Sequence, residues 1–295
     1  MTRLEGRAAI VTGAGRGIGR AEALALAAEG ALVVVNDVDA DAAADVVDEI
    51  LSARGSAIAN ADDVSTWSGA EAAIDAVVAA HGQLDILVNN AGVLRDAMSF
   101  SMTEDQWDDV IRVHLKGHVA TAHFAGIHWR ERSKAADGAK VGGRIINTAS
   151  ESGLYGLAGQ ANYAAAKAGI AALTITLGRE LRKYGVTVNS IAPRARTRMT
   201  ETVLGALIPE EGQFDDWDPA NIAPLVTWLA SDLAADVTGQ VLVIAGDKIH
   251  LMHGWHRVGR IANDARQWTV DEIEARRGDL FGELETRLPV TGFGE

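Results

Sequence analysis

Tyr163 and Lys167 stand four residues apart in Gln160-Ala-Asn-Tyr-Ala-Ala-Ala-Lys167, a spacing that puts both on one face of a helix. A phenol with an ordinary pKa of about 10 is a poor base at neutral pH, and a neighbouring ammonium stabilises its phenolate. The pair reads as a general acid/base, Tyr163, with Lys167 holding its pKa down. Taken alone, a tyrosine and lysine at this spacing describe a solvated surface pair equally well. Ser150 lies just beyond the aliphatic run Arg144–Asn147, where its hydroxyl would hold a substrate oxygen.

A second set of residues has the chemistry of phosphate and ribose binding. Thr12-Gly-Ala-Gly-Arg-Gly-Ile-Gly19 follows the run Ala8–Val11. Gly13, Gly17 and Gly19 let the backbone turn sharply and approach a pyrophosphate at the N-terminus of the next helix. A tight strand–helix turn without a ligand is the plainer alternative. Asp37 closes the next aliphatic run, eighteen residues after Gly19. A carboxylate there accepts hydrogen bonds from ribose hydroxyls and repels a 2′-phosphate, which favours NAD over NADP. Arg16 pulls the other way.

These residues need a scaffold, and the pattern supplies one. Ala8–Val11, Leu32–Val35, Ile86–Asn89, Arg144–Asn147, Val186–Ile191 and Val241–Ile244 are nearly continuous in Val, Ile and Leu, as strands buried on both faces of a parallel sheet must be. Helices are expected between them, at Ile18–Glu29, Asp41–Ala53, Thr66–His81, Thr103–Arg130, Gln160–Tyr184 and Asn221–Ser231. The alternation predicts an α/β, doubly wound, mainly parallel sheet of seven strands with helices on both faces. No repeat or Pro/Ser-rich linker divides the chain, so residues 1–295 are read as a single domain: a core at 5–247, a substrate loop at 194–218 and a C-terminal extension at 248–295. Glu131–Gly143 reads as a surface insertion.

Composition narrows the function. Lys and Arg number 27 against 40 Asp and Glu, a net charge of −13, which argues against a nucleic-acid surface. Hydrophobic residues make up 48% of the chain, enough for a core and against disorder. Without cysteine there is no disulfide framework and no thiolate nucleophile. No apolar run reaches the roughly 18 to 20 residues of a bilayer span, and the first ten residues carry charge where a signal peptide is apolar. The expectation is a cytoplasmic protein without membrane or nucleic-acid partners. His114 and His118, and the series His250, His253 and His256, raise the question of metal, but no cysteine accompanies them and Gly254 interrupts the second set, so no metal is expected.

Taken in order, Thr12–Gly19, Asn89-Asn-Ala-Gly92, Ser150, Tyr163-x-x-x-Lys167 and Pro193…Thr197 resemble the motifs of the short-chain dehydrogenase/reductase family over roughly residues 5–247. The resemblance implies a Rossmann-type domain and hydride exchange with a nicotinamide, with Ser150, Tyr163 and Lys167 catalytic. It implies a cofactor set of Gly13, Arg16, Gly17, Ile18, Gly19, Asp37, Asp63, Val64, Asn90, Ala91, Gly92, Tyr163, Lys167, Pro193 and Thr197. Within that set Asp63 would contact the adenine and Asn90-Ala91-Gly92 would line the adenosine. Lys167 would also hold the nicotinamide ribose, and Thr197 would meet the carboxamide. The family usually forms homodimers or homotetramers through its long central helices.

Two positions depart from the family pattern. His114 replaces the usual Asn of the middle helix, and either joins the catalytic relay or is a satisfied core histidine. Arg194 follows Pro193 where Gly is usual, so Arg194, Arg196 and Arg198 either bind an anionic group such as a CoA phosphate or pair with nearby acids. Leu94–Trp107, Val113–Lys116 and Val33–Asp37 are similar to the (3R)-hydroxyacyl-CoA dehydrogenase modules of peroxisomal multifunctional enzymes and to related bacterial steroid and acyl-CoA dehydrogenases. That similarity implies oxidation of a secondary alcohol on a hydroxyacyl-CoA or steroid-like substrate. The rivals are an NADPH-dependent 3-oxoacyl reductase, against which Asp37 speaks, and a nucleotide-sensing protein without turnover, which would not need Tyr163 and Lys167 together.

Overall fold

Uninterrupted aliphatic runs become buried parallel strands. In the computed structural model, which describes residues 2–197 and 212–284, the strands are β1 Ala8–Thr12, β2 Leu32–Asn36, β3 Ser56–Asn60, β4 Ile86–Asn89, β5 Arg144–Thr148, β6 Thr187–Arg194, β7 Val241–Ala245 and β8 Lys248–Met252. They form one sheet in the order β3-β2-β1-β4-β5-β6-β7-β8. Every pairing from β3 to β7 is parallel, and β8 runs antiparallel to β7 with Val243 opposite His250. The order reverses direction between β1 and β4, and a doubly wound sheet opens its crevice at the carboxyl ends of the strands flanking that point.

The doubly wound fold is as expected, with eight strands instead of seven. The eighth exists because the chain reverses at Gly246-Asp247 and returns along β7. Every residue of β8 but Met252 is exposed, so its side chains show no buried face that a pattern would reveal. β3 escapes the pattern in the same way, since only Ala57 of its five residues is buried.

Helices cover both faces: α1 Gly17–Ala28, α2 Ala40–Ser52, α3 Trp67–His81, α4 Glu104–Val110, α5 Gly117–Ala135, α6 Glu151–Tyr155, α7 Ala161–Leu181 and α8 Ala223–Ala230. Neighbouring strand residues point to opposite faces, so Val33 and Val35 join one core with Leu26, Ile50 and Leu225, and Val34 joins the other with Ile74, Val77 and Trp129. The expected helix Thr103–Arg130 is instead α4 and α5 joined by one π-helical stretch, Ile111–Lys116. Such wide turns recur at functional sites, and this one carries His114. Only part of the expected insertion at 131–143 is loop, because α5 continues to Ala135.

The chain divides into two compact units, Met1–Met252 and His253–Glu295. The second has two short helices, α9 Val270–Ala275 and α10 Arg277–Phe281, the first with a Thr269–Glu272 capping box. None of its described residues is buried. Among the described residues no helix is long and apolar enough to cross a membrane.

Candidate active site

The glycine turn leaves β1 at the point where the strand order reverses. Gly13 has φ +63°, and a Cβ on it would stand 2.7 Å from the Ala91 Cα, so any side chain would collide with the end of β4. That contact is fixed by hydrogen bonds. Asn90 donates its side-chain amide to the carbonyls of Thr12 and Gly13, both at 3.0 Å, while the amides of Asn90 and Ala91 donate to the Thr12 hydroxyl at 3.0 and 3.1 Å. Asn90 and Ala91 therefore brace the turn from its neighbour strand. Thr12 was not singled out by sequence reasoning. Its signal is its position, the last residue of a buried strand ahead of the first glycine.

Asp37 follows β2 and accepts hydrogen bonds from the Gly15 and Asp39 amides at 3.0 Å. Arg16 pairs with Asp39 at 2.7 Å, and the hydrogen bond to Asp39 raises its pKa. After β3, Asp63 accepts from the Ser65 amide at 2.9 Å and faces Arg112 at 3.7 Å, while Val64 is buried. Ile18 packs against the core under the turn. Glycine cradle, Asp37, Asp63 and Val64 thus lie at the carboxyl ends of β1, β2 and β3. A cradle that a single Cβ would fill, followed by a helix N-terminus and an acid after β2, fits an adenine dinucleotide.

On the other side of the crevice, Ser150 caps α6 by accepting the Ser152 amide at 3.2 Å. Tyr163 is held from its own backbone. Its amide donates to the Asn162 side chain at 2.8 Å, and Asn162, fully buried, donates to the carbonyls of Arg95 and Gln106 at 3.0 and 2.9 Å. Burial pushes the Tyr163 phenol up to about 12, against the lowering effect of the nearby Ser150 hydroxyl, and Asp96 adds to the rise.

Lys167 is buried, donates from Nζ to the Thr148 carbonyl at 2.5 Å and lies 5.5 Å from the Tyr163 ring centroid. Burial lowers it to about 7. Ser150, Tyr163 and Lys167 are therefore brought together, but Lys167 does not hold the phenol down in this state. Desolvation is the largest cause of both shifts, raising the phenol and lowering the ammonium.

His114 is buried at 1% exposure. Its Nε2 sits 3.0 Å from the Val93 amide and 2.8 Å from the Val93 carbonyl, and its Nδ1 is buried without a partner. A Cβ on Gly92 would reach to 2.3 Å of the imidazole, so only glycine at 92 admits the ring. Burial first, then Lys167, drives its pKa down to about 3, so the ring is neutral. His114 meets the Tyr163 ring edge-on, and His118 on the next turn is buried as well.

Pro193 lies in β6, and Thr197 comes to 3.4 Å from where a Cβ on Gly17 would stand. Arg194 meets Glu151, with Nη2 2.7 Å from Oε1, and Arg196 pairs with Asp215. Of the two roles weighed for these arginines, pairing with acids is the one observed at 194 and 196. Arg198 lies outside the described residues. Glu151 was overlooked in the sequence, where an acid beside Ser150 carries no spacing that marks it.

A strand order that reverses at a glycine turn, facing a Ser–Tyr–Lys cluster across the crevice, defines a dinucleotide-dependent oxidoreductase. The chain belongs to the short-chain dehydrogenase family, whose model matches residues 7–205 and whose members bind a nicotinamide cofactor. Hydroxyacyl-CoA dehydrogenase ChsB1 of Mycobacterium tuberculosis is 48% identical over 286 residues, covering 95% of this chain and 90% of that protein. Peroxisomal multifunctional enzyme type 2 of Mus musculus is 42% identical over 253 residues, 83% of this chain but 32% of that much longer enzyme. The crystal structure of a short chain dehydrogenase from Mycobacterium avium superposes with a TM-score of 0.88 at 48% identity, covering 99% of this chain and 100% of that one.

Proposed function

We propose that this chain interconverts a secondary alcohol and a ketone with NAD, acting on a 3-hydroxyacyl-CoA or a related steroid-like compound. The observation that carries the reading is the Ser150–Tyr163–Lys167 cluster facing the glycine cradle across one crevice. Ser150 Oγ holds the substrate oxygen, and Tyr163 Oη, whose pKa the nearby Ser150 hydroxyl lowers, exchanges the hydroxyl proton. In ketone reduction the phenol gives its proton to the developing alkoxide. In alcohol oxidation the phenolate takes it, and Lys167 Nζ, 5.5 Å from the ring, stabilises that charge when protonated. Gly13, Arg16, Gly17, Ile18, Gly19, Asp63, Val64, Asn90, Ala91, Gly92, Pro193 and Thr197 form the cofactor side. A nicotinamide dinucleotide supplies, when bound, the hydride acceptor or donor that the side chains lack.

NAD is favoured over NADP because Asp37 and Asp39 place two carboxylates after β2, and Arg16, the cation weighed for a 2′-phosphate, is engaged by Asp39. That arrangement repels a 2′-phosphate, and it counts against the NADPH-dependent 3-oxoacyl reductase. The thioester reading is supported by the likeness to Hydroxyacyl-CoA dehydrogenase ChsB1 and does not lean on Arg194 or Arg196, whose guanidiniums are engaged by carboxylates. The reading includes a homodimer or homotetramer. Ala161, Ala165, Ala168 and Ala172 form an exposed row along α7, which permits close approach by another helix. A cysteine-free chain suits the reducing cytoplasm.

The test is to incubate the protein with NAD or NADP and a (3R)-hydroxyacyl-CoA, with a free steroid alcohol in parallel, following reduced nicotinamide. Turnover of the thioester with NAD supports the reading. Turnover of the free alcohol alone removes the thioester, and preference for NADP brings the reductase forward.

A further inference from the structure

Glu151 follows Ser150 directly and opens α6, with its side chain 7% exposed. An acid so buried is rare unless paired. Arg194 closes β6 and meets it as a fork, Nη2 to Oε1 at 2.7 Å and Nε to Oε2. The strand ladder already joins these two chain ends as far as it runs: Thr148 stands opposite Ile191, and the Ala149 amide donates to the Ile191 carbonyl at 2.7 Å. Beyond Ala149 that ladder has ended. Ser150 therefore sits between the last backbone bond and the ion pair, held from both sides.

The other end of the tie leads to the cofactor cradle. Arg194 is three residues before Thr197, which abuts Gly17. Between them the Arg196 amide donates to the Trp217 carbonyl at 2.6 Å, and the Arg196 side chain pairs with Asp215. The short stretch 194–197 is thus fastened at one end to the element carrying Ser150 and in its middle to the chain at 215–217. A bidentate guanidinium–carboxylate contact fixes orientation as well as distance, which a single hydrogen bond does not.

We propose that Glu151 and Arg194 are positioning residues of this active site, setting the place of Ser150 relative to the 195–197 segment that passes over the glycine turn. They touch neither substrate nor cofactor and act through Ser150 and Thr197. The proposal rests on the role given to Ser150 above. Because a buried ion pair contributes little more to stability than apolar groups of similar volume, the two roles can be separated by removing both charges together.

Three variants test it: Glu151→Gln, Arg194→Lys, and the double variant Glu151→Leu with Arg194→Met, which replaces both charged groups by apolar ones. Each single variant is expected to lower kcat at saturating cofactor and substrate by at least about tenfold, as small misplacements of reacting groups do. The nucleotide Kd, measured by calorimetry, is expected to stay within about threefold. In the double variant the thermal midpoint is expected to return towards that of the unaltered protein while kcat stays low. Recovery of kcat together with the midpoint, or unchanged kcat in any folded variant, overturns the proposal. Should the double variant not fold, Arg194→Lys answers alone, since it keeps the charge and loses the fork.

A second readout needs no turnover. The Ser152 and Gly153 amides bond Ser150 Oγ and its carbonyl at 3.2 and 2.9 Å. Their hydrogen exchange in the nucleotide-bound protein is expected to quicken in the variants at equal global stability, and unchanged exchange contradicts the proposal. Absence of turnover in the unaltered protein would instead sink the functional reading, leaving exchange to decide the positioning role.

Discussion

The Tyr163 ring stands edge-on to the His114 imidazole, their centroids 5.1 Å apart and their planes at 88°. This is the geometry aromatic pairs prefer, and it gives the phenol a rigid floor. His114 is in turn pinned through Nε2 to Val93 and overlain by Gly92. Its place is therefore set by the backbone ahead of α4 as much as by its own helix.

Replacing His114 by Ala removes that floor and leaves the Val93 backbone unpaired, at a cost of about 2–4 kcal/mol of stability, with reduced kcat. Because burial drives the imidazole down to about 3, the folded protein binds fewer protons than the unfolded chain between that value and the ordinary histidine range. Stability from this group is present above the unfolded pKa of about 6.5 and is lost as pH falls towards 3. Proton NMR of the His114 ring checks the point: a titration near neutrality would contradict it.

The acid/base pair makes a directional claim about rate. Tyr163 at about 12 and Lys167 at about 7 leave the phenol protonated at neutral pH, ready to donate and not to accept. The kcat/KM for alcohol oxidation is expected to rise with pH through the alkaline range, while that for ketone reduction stays level or falls. Parallel profiles in both directions would show that Tyr163 does not carry the proton.

Gly13→Ala tests the cradle. Its φ of +63° and the 2.7 Å approach to Ala91 leave no room for a methyl group without displacing the turn. Nucleotide affinity is expected to fall by at least about tenfold, with about 1–3 kcal/mol lost in stability. Calorimetric binding and thermal unfolding measure the two separately, and full affinity would show that the turn does not bind the phosphates.

Glu22, on α1, is fully buried with neither carboxylate oxygen bonded, and burial raises it to about 8. Between the unfolded value near 4.5 and 8 the folded state holds a proton that the unfolded chain has released. Stability is thus greatest below the unfolded pKa and declines as pH rises through 8, by several kcal/mol at most since each unit is worth about 1.4 kcal/mol. Glu22→Gln is expected to change little in mild acid and to raise the melting temperature above about pH 8. An equal effect on both sides would show that Glu22 does not titrate there.

The legibility of the sequence followed burial. β1, β2, β4, β5, β6 and β7 were readable because strands covered on both faces must be continuously apolar, whereas β3 and β8 were not, being largely exposed. Tyr163 and Lys167 stand out by type and spacing and Ser150 by its place after a strand, and it is the ordered motifs of the family that join them into one set. Thr12, Asn162 and Glu151 do not stand out, because their work is to hold backbone or a distant arginine, and such partners are far away along the chain. The π-helical turn at His114 leaves no mark in a pattern built on the ordinary helical period. The desolvation that raises Tyr163 and lowers Lys167 leaves no mark in their spacing, which reports proximity alone.

The central claim, that Tyr163 moves the proton of an alcohol oxidised by a bound nicotinamide, is tested most directly by Tyr163→Phe, with nucleotide binding and turnover measured on the same preparation. Loss of general acid/base catalysis is worth about 10²- to 10⁴-fold, so turnover is expected to drop by at least that lower figure with the nucleotide Kd unchanged. Turnover close to that of the unaltered protein, with binding intact, would contradict the account.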